Sequence, residues 1–337
     1  NVRDIFLKRQ KKDDRVNIAK ARENKFRFAP ATVAPAPLKP GLTTLKDVNL
    51  ADLIPYIDWS PFFASWDLHG QYPRILSDDK VGEAANSLFE DAQKMLTRIV
   101  EEKWFTAHGV LGLWPANARG DDIVVWTDES RTKEATIFHT LRQQIEKKTG
   151  QPNYALSDFV APEGEEDWIG GFAVTAGHGE DDVAKRFVDQ NDNYSAIMAS
   201  ALADRLAEAF AEYLHARVRR DFWGYTKDER LTNEDLIGEK YQGIRPAAGY
   251  PAQPDHTEKE ALFELLSASE HCGMSLTESY AMQPGAAVSG LYFSHPESVY
   301  FGTGKIGRDQ VTDYAARKGW DMATAERWLA PILAYET

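Results

Sequence analysis

The stretch 245–256, RPAAGYPAQPDH, gathers residue types able to hold a small charged molecule. Pro246, Pro251 and Pro254 fix φ and remove backbone donors, so the run is neither helix nor central strand. The residue before each proline is pushed toward extended backbone. Inside the run, Arg245-x-x-x-Gly249-Tyr250 sets an arginine fork beside a glycine and a tyrosine. The fork suits a carboxylate or a phosphate. The glycine admits close approach to the main chain, and the tyrosine adds a flat face and a hydroxyl. From composition alone, a stiff surface loop whose arginine pairs with a nearby carboxylate is the more ordinary reading.

Other chemistry has less support. Asp58 sits among aromatics in YIDWSPFF, where it either caps a turn or faces a ligand. Residues 302–307, GTGKIG, match the dinucleotide fingerprint G-x-G-x-x-G. The residues after it read as helical and offer no second strand for a ribose-binding acid, which argues against a Rossmann site. The eight histidines are scattered, with no H-x-x-x-H or C-x-x-C spacing, so no metal site is expected. No G-x-S-x-G elbow announces a serine nucleophile.

The elements that must position these residues are of mixed type. Periodicity predicts helices over 83–103, 132–148, 194–220, 232–240, 257–267, 308–318 and 321–330. Strands are expected over 109–116, 123–127, 169–175, 286–293 and 299–306, the last two as a hairpin turning at His295-Pro296. In the longest helix, Met198, Leu202, Leu206, Phe210, Tyr213 and Leu214 form a buried stripe. Asp204, Glu208 and His215 fall on the expected solvated side, with Glu212 at the flank. Strands come in neighbouring pairs without regular βαβ alternation, which points to an α+β fold with a largely antiparallel sheet.

Composition bounds the function classes. The 337 residues, 43% of them hydrophobic, are ample for a core. No apolar run approaches about 20 residues, so no membrane span is expected. The single cysteine, Cys272, excludes an internal disulfide and fits a reducing, cytoplasmic compartment. The formal charge is −13. Residues 1–30 carry ten Lys/Arg and four Asp/Glu, a net of +6, leaving −19 for the rest. An acidic body argues against nucleic acid as a partner. Residues 28–46 hold four prolines and read as a linker, with the folded part beginning near Leu50. The chain starts without methionine, as a piece of a longer protein would.

At YIDWSPFF, LRQQIEKKTG, DFVAP, ALADRLAEAFAEYLHARVR, YQGIRPAAGYPAQPDHTEK and SHPES the chain resembles the C-terminal activation domain of cobalamin-dependent methionine synthase. The resemblance runs from about Tyr56 to Tyr335. It implies a single C-shaped α+β domain over 46–337, built on a twisted antiparallel sheet and unlike Rossmann-type methyltransferases. Residues 1–45 would then be the linker from a preceding cobalamin-binding domain. It also implies an activity: S-adenosylmethionine (AdoMet) supplies the methyl group that returns oxidised cobalamin, carried on the adjacent domain, to the cycle of a 5-methyltetrahydrofolate–homocysteine methyltransferase. The electron would come from flavodoxin or a flavodoxin-like reductase.

The family's site residues carry over to Arg245 for the AdoMet carboxylate, to Asp58 for its amino end, and to the backbone of Ala247, Gly249 and Tyr250. Glu208, Glu239 and Tyr300 are implied near the ligand. Phe301 stands where some relatives have a second tyrosine, and the glycine-rich 302–307 stretch departs from the family pattern. Attack of reduced cobalt on the sulfonium methyl group, with the sulfur leaving as a neutral thioether, needs no general acid or base, so the work implied is positioning. Two other readings stay open: an interaction module that caps the cobalamin domain and docks the reductase without productive AdoMet binding, and a free-standing small-molecule methyltransferase, for which no substrate pocket or base is nominated.

Overall fold

The structure is a computed structural model that describes residues 15–337; the first half of the basic 1–30 stretch lies outside the described residues. Among the described residues eight strands occur in chain order: β1 (Gly41–Leu45), β2 (Thr106–Arg119), β3 (Asp122–Trp126), β4 (Glu134–His139), β5 (Trp168–His178), β6 (Ser275–Leu276), β7 (Met282–Gln283) and β8 (Ala287–Tyr292). Six of them form one sheet in the order β4-β3-β2-β5-β8, with β1 also paired to β2. Every pairing is antiparallel. The 14-residue β2 organises it. One of its edges is shared, β1 pairing residues 109–113 and β3 pairing residues 116–119, while the other edge runs along β5.

Both faces of this sheet are covered, which explains why β2 and β5 read as apolar runs. Side chains alternate across it. Leu111, Leu113, Phe172 and Val174 point into one core with the long helix Asn193–Arg217. Val110, Trp114, Ile169 and Ala173 point into a second core under the helix Glu258–Leu266. The long helix is apolar on most of its circumference, with fourteen of its residues buried, seven of them alanine, so it packs close to the sheet. Asp192 caps its start by accepting from the Ser195 N–H. A third, smaller core joins Leu141 to the C-terminal helices Arg308–Lys318 and Met322–Leu329.

Three expectations need correction. The 132–148 segment is not a helix: residues 134–139 are β4, and the residues after it run irregularly. Arg142 there is fully buried and bonded to both Asp121 and Asp158. Gln143 and Gln144 reach Gly302 and Asp309. Long-range polar partners outweigh the helix preference of these side chains. Residues 299–306 form no strand and no hairpin with β8. The edge of β8 is taken instead by residues 244–246: Ile244 and Phe293 exchange hydrogen bonds at 3.0 Å, and the Leu291 N–H donates to the Pro246 carbonyl at 2.9 Å. Finally, part of the expected linker is built into the body. Residues 41–45 are the sheet strand β1, and Arg22 bridges Asp121 (2.7 Å) and Asp313 (2.6 Å).

Candidate functional site

Three pieces of chain wall a groove beside the long helix. The helix contributes Arg205, Glu208, Ala209 and Glu212, three and four residues apart and therefore on one face. The turn before the helix Ser60–Ala64 contributes Tyr56 and Asp58, and the first turn of that helix contributes Pro61. The third wall is Leu236, Ile237, Glu239, Tyr241, Arg245 and Tyr250. The space enclosed is about 400 Å³, within the range of small-molecule sites. Four carboxylates, Asp58, Glu208, Glu212 and Glu239, face two cations, Arg205 and Arg245, so the lining carries a net charge of 2 − 4 = −2. Such a groove favours a cationic occupant.

Arg245 owes its direction to the sheet edge. Its neighbours Ile244 and Pro246 bond to the edge of β8, and Ile244 is buried in the second core. Alternation along extended backbone then turns Arg245 to the opposite side. Its guanidinium is held by Glu212 Oε2 (2.7 Å), the Tyr241 hydroxyl (3.1 Å) and His215 Nδ1 (3.3 Å). Nη1 donates to Tyr241 and His215, while Nη2 pairs with the Glu212 carboxylate as an ion pair. The Nε–H has no partner among the described residues, and Nη2 has none besides Glu212. With its side chain 20% exposed, the arginine offers this Nε–Nη2 edge to the groove. Burial raises the pKa of Glu212 against the pull of Arg245 and Arg219.

The expected site residues separate into two groups. Asp58, Glu208, Glu239, Arg245 and Tyr250 come together in the groove. Asp58 performs both roles considered for it: Oδ1 caps the next turn by accepting from the Ser60 N–H at 3.0 Å, while the side chain lines the groove. Tyr300 stands behind Arg245, its hydroxyl accepting from the Arg245 N–H at 3.0 Å and meeting the Tyr241 hydroxyl at 3.2 Å. Ala247 and Gly249 lie in the turn that leads to Tyr250. There the Tyr250 N–H donates to Ala247 and the Gly249 N–H to Gln253, while the N–H groups of Ala247 and Ala248 have no partner among the described residues.

Phe301 is not brought to the groove. Its ring stacks on Tyr154 at 5.6 Å and packs into the second core, because successive residues of the extended 300–301 step face opposite ways. His215, expected on a solvated face, is fully buried. It stacks on Tyr292 at 5.1 Å and meets the edge of Tyr241.

Glu212, Tyr241, Arg205 and Tyr56 are groove residues that the sequence reading did not nominate. The signal for Glu212 and Arg205 was their four- and three-residue spacing from Glu208 on the long helix. Tyr56 and Tyr241 carry no comparable signal.

The family profile described as "vitamin B12 dependent methionine synthase, activation domain" matches residues 49–319. A crystal structure of the MetH reactivation domain bound to AdoHcy (S-adenosylhomocysteine) is similar to this chain at 54% identity, covering 96% of this chain and 99% of that one, with a TM-score of 0.92. Profile, fold and antiparallel sheet agree, and the chain belongs to the family of activation domains of vitamin B12-dependent methionine synthase.

Proposed function

We propose that the groove binds AdoMet as methyl donor for the reactivation of cobalamin carried on a preceding domain of the same polypeptide. AdoMet has one carboxylate, one ammonium and one sulfonium, a net single positive charge. The free Nε/Nη2 pair of Arg245 suits the carboxylate. Asp58 answers the ammonium. Glu208 and Glu239 add negative charge along the path of the sulfonium, each worth little as an exposed group. The free N–H groups of Ala247 and Ala248 serve the adenosine part, with the Tyr250 ring as a flat face. A relative this similar was solved with AdoHcy, the demethylated product of AdoMet, bound to it. The observation that carries the reading is the pairing of Arg245's unused donors with an acidic groove of about 400 Å³.

Cobalamin, when docked from its own domain, supplies the reduced cobalt that accepts the methyl group, the electron coming from flavodoxin or a flavodoxin-like reductase. The residues of this chain bind the donor, orient it and neutralise its charges; none is required to move a proton. The isolated chain is therefore expected to bind AdoMet without turnover, its methyltransferase activity belonging to the full enzyme. Residues preceding β1 act as the connector, packed on the body from Arg15 onward.

Isothermal titration of the chain with AdoMet tests the reading. Saturable one-to-one binding, lost in Arg245→Ala, is expected. A folded wild-type chain that takes up no heat with AdoMet leaves the interaction-module reading in its place.

A further inference from the structure

The groove holds a carboxylate, Glu212, against the same arginine that is assigned to the ligand's carboxylate. Three residues further along the helix, His215 touches that arginine from behind. Both are poor choices for mere packing. Glu212 is 7% exposed and His215 fully buried. Glu212 Oε1 and His215 Nε2 are buried without a hydrogen-bond partner, which is destabilising relative to an apolar filling. His215 cannot reach the groove itself. Because Arg245 donates to its Nδ1, the ring is the neutral tautomer protonated on Nε2. Stacking on Tyr292 and the edge of Tyr241 fix the plane of that ring.

Together these contacts leave the guanidinium one orientation. Oε2 of Glu212 pairs with Nη2 as an ion pair at 2.7 Å, while Nδ1 of His215 and the Tyr241 hydroxyl accept from Nη1. The edge that remains is Nε–Nη2, the two-donor fork that matches a carboxylate.

We propose that Glu212 and His215 are positioning residues that aim the free edge of Arg245 into the groove and so set its selectivity for ligands bearing an amino-acid carboxylate. This rests on the AdoMet reading above. An unheld arginine would still attract a carboxylate by charge, but would lose the pre-organised geometry that makes the contact two-pronged.

The test pairs two ligands with three variants in calorimetric titrations of the whole chain. AdoMet carries the carboxylate; decarboxylated AdoMet keeps the sulfonium, the amine and the adenosine without it. Wild type is expected to prefer AdoMet. Glu212→Gln and His215→Phe, the latter keeping an aromatic ring against Tyr292, are each expected to weaken AdoMet about tenfold, the scale of one misdirected charged hydrogen bond. Binding of decarboxylated AdoMet by His215→Phe should stay within about twofold, which also certifies the fold; Glu212→Gln also removes a groove carboxylate, so it is read by the excess of its loss for AdoMet over its loss for decarboxylated AdoMet. His215→Gln, whose amide oxygen can accept from Arg245, should recover most of the loss.

Equal weakening of both ligands by the variants would mean direct contact or a fold defect and would overturn the positioning role. Unchanged AdoMet binding in both variants would overturn it as well. If wild type binds the two ligands equally, Arg245 does not meet the carboxylate and the proposal fails at its premise. If wild type binds neither, the AdoMet reading itself has failed.

Discussion

The imidazole of His256 lies against the α-carbon of Gly249, in the volume that a Cβ at that position would occupy. Gly249 also has a φ of +94°, a conformation that side chains rarely adopt. The glycine of the R-x-x-x-G-Y pattern is therefore needed by the fold on its own account: its bare side is filled by a histidine. Lys259 steadies that ring, its Nζ lying 2.9 Å from Nδ1.

Gly249→Ala then meets two penalties, a strained φ and a clash with the ring. Gly304→Ala meets only the first: φ is +72° and open space surrounds the site. The strained φ alone is expected to destabilise by about 1 kcal/mol. Gly249→Ala should exceed Gly304→Ala by about 1 kcal/mol or more and should also weaken AdoMet binding. Urea denaturation of the two variants gives the difference, and equal losses would show that the His256 ring yields without penalty.

Removing Arg245 is not a clean deletion of a ligand contact. Glu212, buried and partnered by Arg245 at 2.7 Å, would be left with an uncompensated charge. Arg245→Ala is expected to lower stability by about 2 kcal/mol as well as to abolish AdoMet binding. Arg245→Ala combined with Glu212→Gln should regain much of the stability without regaining the ligand. Denaturation of the single and double variants checks this. A double variant as unstable as the single one would put the loss in packing of the guanidinium rather than in the orphaned carboxylate.

What was legible in the chain follows a physical division. The long helix and β2, β3, β5 and β8 have cores on their apolar faces, so their periodicity or apolar runs were visible. Segments whose partners are polar and distant were not. Arg142, Gln143 and Gln144 read as helix formers, yet each is consumed by bonds to residues far along the chain, and no local pattern announces Asp121, Gly302 or Asp309 as their partners. Likewise β8 was seen, but its edge partner is the proline-rich 244–246 segment, whose prolines argued against a strand. For the groove, resemblance located Asp58 and Arg245, while Glu212 and Tyr241 stand out only once the arginine's donors are counted in three dimensions.

The buried state of His215 has a consequence for pH. Burial, reinforced by Arg219 and Arg245, depresses its folded pKa well below the ordinary 6.5. Below pH 6.5 the unfolded chain takes up a proton there that the folded chain refuses. Stability contributed at this position is thus present above the unfolded pKa and is lost as pH falls below it, by about 1.4 kcal/mol per pH unit. Other groups titrate in the same window, among them Asp167, whose folded pKa burial raises to about 6 and whose effect has the opposite sign. The prediction is therefore a difference. Between pH 6 and pH 5, wild type should lose more stability than His215→Phe by about one proton's worth. Parallel pH profiles for the two proteins would mean that His215 is protonated in the folded state.

Glu239 is the groove residue whose backbone is least at ease. The helix Asn233–Ile237 ends with the Lys240 N–H donating to Asp235 and the Glu239 N–H to Leu236, both at 3.0 Å, the pattern of a Schellman cap. The left-handed position of that cap normally belongs to glycine, yet here it is Glu239, with φ at +53°, while Gly238 sits one residue earlier at an ordinary φ of −78°. The arrangement directs a carboxylate from the helix end into the groove at the expense of backbone strain. Glu239→Gly should therefore raise stability by about 0.5–1 kcal/mol, relief of the strain being partly offset by the freer unfolded glycine. The same variant should bind AdoMet more weakly, having lost one of the groove's four carboxylates. Glu239→Asn, which tolerates the left-handed region but carries no charge, should show the same weakening with a smaller gain in stability. Denaturation and calorimetric titration of both variants read the two effects separately. A loss of stability in Glu239→Gly would show that the side chain serves the fold, and unchanged AdoMet affinity would remove Glu239 from the ligand's surroundings.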